Sequence, residues 1–243
     1  MREPVLGLLG SGEFEPWSAE VDRWLLSRSR PGGDRVLVLP TASAPEGDDV
    51  FGRWASMGLA HYAELGVAAE VVQIRTREDA EDPAHVARLA TASMVFFSGG
   101  NPAYLSATLT GTAFWAVLRA AMDEGLAYGG CSAGVACLGD RTIDTAAGRF
   151  EPDAWKPGLG VFHEVWFSPH WDALDLYVPG LRAFIEASVP AGQVLLAIDE
   201  HTAIVGDGRD WEVVGAASAH VRDGETWTHH PSGSRFTRAL RTE

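Results

Sequence analysis

The chain predicts an α/β three-layer sandwich built on a mostly parallel central sheet. Two features carry this. Five short apolar runs, rich in β-branched or large aliphatic residues, alternate with stretches of helical length and composition. Most of these runs end on Gly, Ser or Thr, where an open parallel sheet gives way to loops. Strands covered on both faces read as unbroken hydrophobic runs. A strand–helix–strand succession closes as parallel pairs with helices packed on the faces.

In chain order the predicted strands are residues 5–9, 36–40, 71–74, 94–97 and 126–129. The helices between them are residues 19–28, 48–65, 84–92 and 114–124. The last third changes character. Segments 161–167, 194–198, 203–206, 212–214 and 219–222 read as short strands joined by Gly-Asp-Gly and Arg-Asp-Gly-Glu turns, so antiparallel hairpins should finish or flank the sheet. No repeat, low-complexity tract or linker interrupts residues 1–243, which are read as one domain.

At 243 residues, with 46% hydrophobic and 21% charged residues, the chain can bury a sizeable core. Its net charge of −14 argues against nucleic acid or an anionic membrane as partner, since both need a positive footprint. The apolar run near the N-terminus is too short for a secretory core or a membrane span, so a cytoplasmic location is expected. Cys131 and Cys137 are too few for a disulfide framework and are read as reduced thiols.

Ligands of open α/β sheets bind beyond the carboxyl ends of the strands. Four polar or glycine-rich segments should converge there: Gly10-Ser11-Gly12-Glu13, Thr41 to Ser43, Ser98-Gly99-Gly100-Asn101 and Gly130-Cys131-Ser132. Gly130-x-Ser132-x-Gly134 has the spacing of a nucleophile elbow, a serine on a tight strand-to-helix turn. Small residues on either side let the turn close, and the following helix directs N–H groups and its positive dipole end at a developing oxyanion. Cys131 is the rival nucleophile, but only the register on Ser132 has glycine two residues away on both sides. A bound phosphate at Gly10-Ser11-Gly12 is disfavoured because the fragment lacks a third glycine and an acidic partner.

A serine needs a base. Among eight histidines, His170 stands out, just past an apolar strand in the Pro-fixed turn Ser168-Pro169-His170-Trp171. His201 is a second candidate. The base in turn needs a carboxylate to fix its tautomer. Asp144, Asp172, Asp199 and Glu200 all qualify on spacing.

Taken together, the elbow, Phe97-Ser98-Gly99-Gly100-Asn101 and Ser168-Pro169-His170 resemble the serine peptidase family of dipeptidase E and cyanophycinase. Its flavodoxin-like fold is similar to that of class I glutamine amidotransferases. The resemblance covers about residues 5–205. It implies Ser132 as nucleophile, His170 as base, and the backbone N–H groups of Gly100 and Ala133 as oxyanion hole. It also implies Glu200 as the orienting acid, from the match of Ile198-Asp199-Glu200-His201-Thr202-Ala203 to cyanophycinase-like members. Dipeptidase E-like members point to Asp144 instead. Asn101, Glu13 and Arg182 are the expected substrate contacts, although no arginine follows His170 where an aspartyl clamp would place one.

The resulting expectation is a serine peptidase or amidohydrolase cleaving a small peptide or isopeptide amide through an acyl-enzyme, in the manner the resemblance implies of an aspartyl dipeptidase or a cyanophycinase. It needs no cofactor and no metal, and it pairs with a second copy in a homodimer. The competing readings are a glutamine amidotransferase-like protein that uses Cys131 and a non-catalytic member of the fold.

Overall fold

The computed structural model describes residues 2–147 and 151–240. The first half alternates as the sequence predicts. It runs β1 (Val5–Leu9), α1 (Ala19–Arg28), β2 (Arg35–Leu39), α2 (Asp48–Glu64), β3 (Ala69–Val71), α3 (Pro83–Arg88) and β4 (Ala92–Phe97). It continues through α4 (Pro102–Leu109), α5 (Ala113–Asp123), β5 (Ala127–Cys131) and the single turn α6 (Ala133–Ala136). The second half contains β6 (Arg141–Ile143), β7 (Trp155–Pro157), β8 (Val165–Ser168), α7 (Leu174–Tyr177), α8 (Leu181–Ser188) and β9 (Val194–Ile198). Last come β10 (Thr202–Gly206), β11 (Asp210–Gly215), β12 (Ser218–Asp223), β13 (Thr226–Pro231) and β14 (Arg235–Thr237).

Among the described residues the main sheet has the order β14-β11-β10-β1-β5-β4-β2-β3. From β1 to β3 every pairing is parallel, with Leu9 opposite Cys131 and Phe97 opposite Gly130. β10, β11 and β14 extend it antiparallel. Alternation along the strands divides the core. Val36, Val38 and Phe96 face Val21 and Leu25 of α1 and Tyr62 of α2. Leu37, Leu39 and Val95 face Leu105 of α4 and Phe114 and Leu118 of α5. These are the three expected layers.

A second sheet, β13-β12-β9-β8, packs beside this frame. Leu196 and Ile198 of β9 join the main core, while Leu195 and Ala197 turn to a separate cluster with Trp171, Leu174 and Ile185. The two sheets therefore share one apolar interior.

Several expectations need correction. The strand expected at 71–74 lies at Ala69–Val71; Val72 and Ile74 are buried without being in it. The helix expected to reach Ala92 stops at Arg88, because Ala92 opens β4. The strand expected at 161–167 is Val165–Ser168, and it pairs with β9 in parallel through the α7–α8 crossover rather than as a hairpin. α4 has no counterpart among the predicted helices. Asn101 caps it, accepting from the N–H groups of Ala103 and Tyr104, and Pro102 occupies the first position, where no N–H is needed.

Candidate active site

The chain end of β5 and the start of α6 hold Ser132 at φ 50°, ψ −105°. A side-chain-bearing residue costs about 1–3 kcal/mol in such a conformation and stays there only when its surroundings enforce it. Here they do. Ser132 N–H donates to the Leu9 carbonyl at 3.1 Å, and the Ser132 carbonyl accepts from Val135 and Ala136 at 3.0 and 2.9 Å. The two flanking glycines are sterically required. A Cβ on Gly130 would lie 2.5 Å from the Gly134 carbonyl oxygen, and one on Gly134 would lie 2.5 Å from that of Phe97. Because α6 is one turn long, it offers local N–H groups rather than the summed dipole of a long helix.

His170 also sits at positive φ, 56°, immediately after the β8 end. Trp171 N–H donates to the Ile198 carbonyl at 3.0 Å, which ties the turn to the end of β9. His170 Nε2 lies 2.8 Å from Ser132 Oγ, and Nδ1 lies 2.9 Å from Glu200 Oε1. A carboxylate only accepts, so Nδ1 carries the proton and Nε2 is left to accept from the serine hydroxyl. Serine, imidazole and carboxylate thus form one hydrogen-bonded line. The His170 and Glu200 side chains are 25% and 23% exposed, so the line opens to solvent and to a substrate.

Two further groups hold Glu200. Tyr177 donates its hydroxyl to Oε1 at 2.5 Å, and Glu200 N–H donates to Asp172 Oδ1 at 2.8 Å. Burial opposes the Glu200 charge, yet the hydrogen bonds from Tyr177 and His170 outweigh it and hold the carboxyl below its ordinary value. The same bond, with burial and the nearby carboxylates, pushes the Tyr177 hydroxyl up to about 12. Nothing in the sequence had singled out Tyr177. Its only signal is an aromatic residue seven positions after His170, in the short apolar segment Leu174-Asp175-Leu176-Tyr177.

The other acids and histidines are engaged elsewhere. Asp144 accepts from Asn101 Nδ2 at 2.8 Å, and Asp199 pairs with His220 and the Ser218 N–H. His61 is buried against Asp22, and His201 faces Glu15. Cys131 is fully buried, and burial together with the adjacent Glu13 carboxylate drives its thiol far above the ordinary range. A thiol so placed is not the thiolate that nucleophilic attack requires.

The three expected substrate contacts have structural occupations. Glu13 is buried, and its Oε1 accepts from Gly99 N–H at 2.8 Å, bracing the Gly99-Gly100 turn. Asn101 caps α4 and reaches Asp144. Arg182 donates to the Trp171 carbonyl at 2.6 Å and lies over the Trp171 ring, 4.8 Å from its centroid. The Gly99-Gly100 turn itself approaches the serine, since a Cβ on Gly99 would come within 3.8 Å of Ser132 Oγ. Gly100, at φ 139°, leaves no room for a Cβ, which would meet Ala42 backbone atoms at 2.4 Å. Its N–H meets no acceptor among the described residues, and Ala133, first in α6, has no intrahelical acceptor.

Beside Ser132 opens a cavity of about 320 Å³, lined mainly by apolar side chains. Among the described residues no three or more His, Cys, Asp or Glu side chains are grouped to hold a metal ion. No helix there is long and apolar enough to cross a membrane.

The fold and the elbow define a class, an α/β sheet with a strained serine-bearing turn at the carboxyl edge and a histidine delivered to it from a distant loop. Within that class the chain belongs to peptidase family S51, whose profile matches residues 6–214, and so to the peptidase hydrolases. A cyanophycinase from Nostoc sp. is 26% identical over 229 residues, covering 91% of this chain and 74% of that protein. A peptidase from an acI-B1 Actinobacterium superposes with a TM-score of 0.86 at 29% identity, covering 97% of each chain. A peptidase E-like protein from Listeria monocytogenes shares the fold, with a TM-score of 0.62 at 17% identity, covering 88% of this chain and 99% of that one.

Proposed function

We propose that the protein is a serine peptidase that cleaves a small peptide or isopeptide amide through an acyl-enzyme on Ser132. The observation that carries this is the unbroken line from Ser132 Oγ through His170 to Glu200, at 2.8 and 2.9 Å. His170 Nε2 takes the hydroxyl proton as Oγ attacks the carbonyl carbon. The carbonyl oxygen becomes an oxyanion that the N–H groups of Gly100 and Ala133 receive, while Glu200 steadies the imidazolium. Collapse breaks the C–N bond, and His170 returns its proton to the leaving amine. A water molecule then attacks the ester carbonyl and gives its proton to Nε2. The acid product departs and Ser132 regains its hydrogen from His170.

A fluorophosphonate probe tests the reading. Intact mass and peptide mapping should place one adduct on Ser132 in the wild type and none in Ser132→Ala. A wild-type protein that fails to react at Ser132, or that reacts at Cys131, would overturn it.

A further inference from the structure

The cavity beside Ser132 is not the site the resemblance leads one to expect. Its walls come from Ile143, Trp155, Phe167, Leu174, Leu181 and Ile185, and its mouth carries Ser132, Ala133, Gly100 and His170. No Asp, Glu, Lys or Arg side chain lines it among the described residues. α8 contributes Leu181 and Ile185, while Arg182, between them in sequence, turns away to the carbonyl and ring of Trp171. To reach a carboxylate inside this cavity, which it does not line, the Arg182 guanidinium would have to leave that carbonyl and that ring.

We propose that this cavity receives an apolar side chain on the residue whose carbonyl is attacked, so that the preferred small peptides carry leucine or phenylalanine there, not aspartate. This rests on the acyl-enzyme reading of Ser132. The nucleophile and both oxyanion donors border the cavity, which fixes the scissile carbonyl at its mouth. The acyl residue's Cα is bonded directly to that carbonyl carbon, so its side chain starts two bonds from it. The side chain on the amine side starts three bonds away, beyond the nitrogen. A volume of about 320 Å³ is at the small end for ligand sites, suited to one large side chain and its flanking backbone rather than to a long polymer. An aspartyl carboxylate entering this lining would lose its water and meet hydroxyls such as that of Ser168 but no cation to balance its charge.

The test pairs turnover with binding. Wild-type kcat/KM is measured for Leu-Ala, Phe-Ala, Asp-Ala and the reversed dipeptide Ala-Leu, and Ser132→Ala is titrated calorimetrically with the same peptides. Leu-Ala and Phe-Ala should exceed Asp-Ala by about 100-fold in turnover and bind more tightly, and Leu-Ala should exceed Ala-Leu. In Ile185→Arg the preference should move toward Asp-Ala, and labelling of Ser132 by the fluorophosphonate reports that this variant is folded. Wild-type turnover of Asp-Ala at or above that of Leu-Ala, with Ser132 labelled normally, overturns the inference and leaves the acyl-enzyme reading standing. So does an advantage that follows the second residue. Tighter binding of Leu-Ala without turnover or labelling does the reverse: it supports the apolar pocket and removes the peptidase mechanism.

Discussion

Replacing Glu200 by glutamine keeps the side chain's length and shape, and it removes one charge at a defined place. In the wild type, Oε1 accepts from His170 Nδ1 at 2.9 Å and from the Tyr177 hydroxyl at 2.5 Å. Because both donors meet this one oxygen, a glutamine that places its NH2 there presents a donor to Nδ1 and to Tyr177 alike. Nδ1 must then accept, and the proton moves to Nε2, which can no longer take one from Ser132. Even in the other amide orientation a neutral oxygen stabilises imidazolium less than a carboxylate does. In the Ser-His-Asp template the matching acid-to-amide change costs about 10⁴ in kcat through the wrong tautomer. A loss of about 10³–10⁴ is therefore expected here, roughly 4–5.5 kcal/mol of barrier at 1.36 kcal/mol per decade. The assay is kcat and KM on a cleaved dipeptide, with thermal melting of both proteins to confirm folding. KM should change little, because Glu200 touches the base and not the substrate. Asp144→Asn is the control and should leave kcat within a few-fold. A Glu200→Gln variant as active as wild type, or an Asp144→Asn variant as crippled as Glu200→Gln is expected to be, would refute the assignment.

Tyr177→Phe removes one donor to Glu200, a hydrogen bond of the charged kind worth about 1.5–3 kcal/mol, and kcat should fall about tenfold as the carboxylate loses its second anchor. The folded Glu200 value lies below the ordinary 4.5, so its charged form adds stability that is present above the unfolded value and lost as pH falls through the folded one. The melting-temperature gap between wild type and Tyr177→Phe should accordingly narrow once pH drops below 4.5. Cys131→Ala should keep turnover within a few-fold, because the buried thiol takes no part; loss of activity with the fold intact would revive it as nucleophile. Gly134→Ala places a methyl group 2.5 Å from the Phe97 carbonyl oxygen and should lower stability by about 1–3 kcal/mol, read by denaturant unfolding.

What the sequence revealed follows the range of the interactions. α1 and β1 fall where periodicity puts them, since burial against one neighbour sets their composition. The elbow was legible because its requirement is local: Gly130 and Gly134 clear the space within one turn. His170 was legible from a proline-fixed turn at a strand end. Glu200 could be separated from Asp172, Asp199 and Asp144 only by family resemblance, because the choice depends on which acid the end of β9 swings beneath the imidazole. The occupations of Glu13, Asn101 and Arg182 were not legible at all. Glu13 braces a turn 86 residues away, and Arg182 finds its partners in a ring and carbonyl across the α7–α8 corner. Tyr177 escaped for the same reason, since its partner is 23 residues further on, in the turn between β9 and β10.

The central claim is covalent, so the most direct measurement is rapid-quench mass spectrometry with an activated ester such as the p-nitrophenyl ester of N-acetyl-leucine. During turnover the peptide containing Ser132 should gain the acyl mass and lose it again as water resolves the ester, with no such species in Ser132→Ala. Turnover that proceeds with Ser132 never acylated, or that survives in Ser132→Ala, would contradict the account.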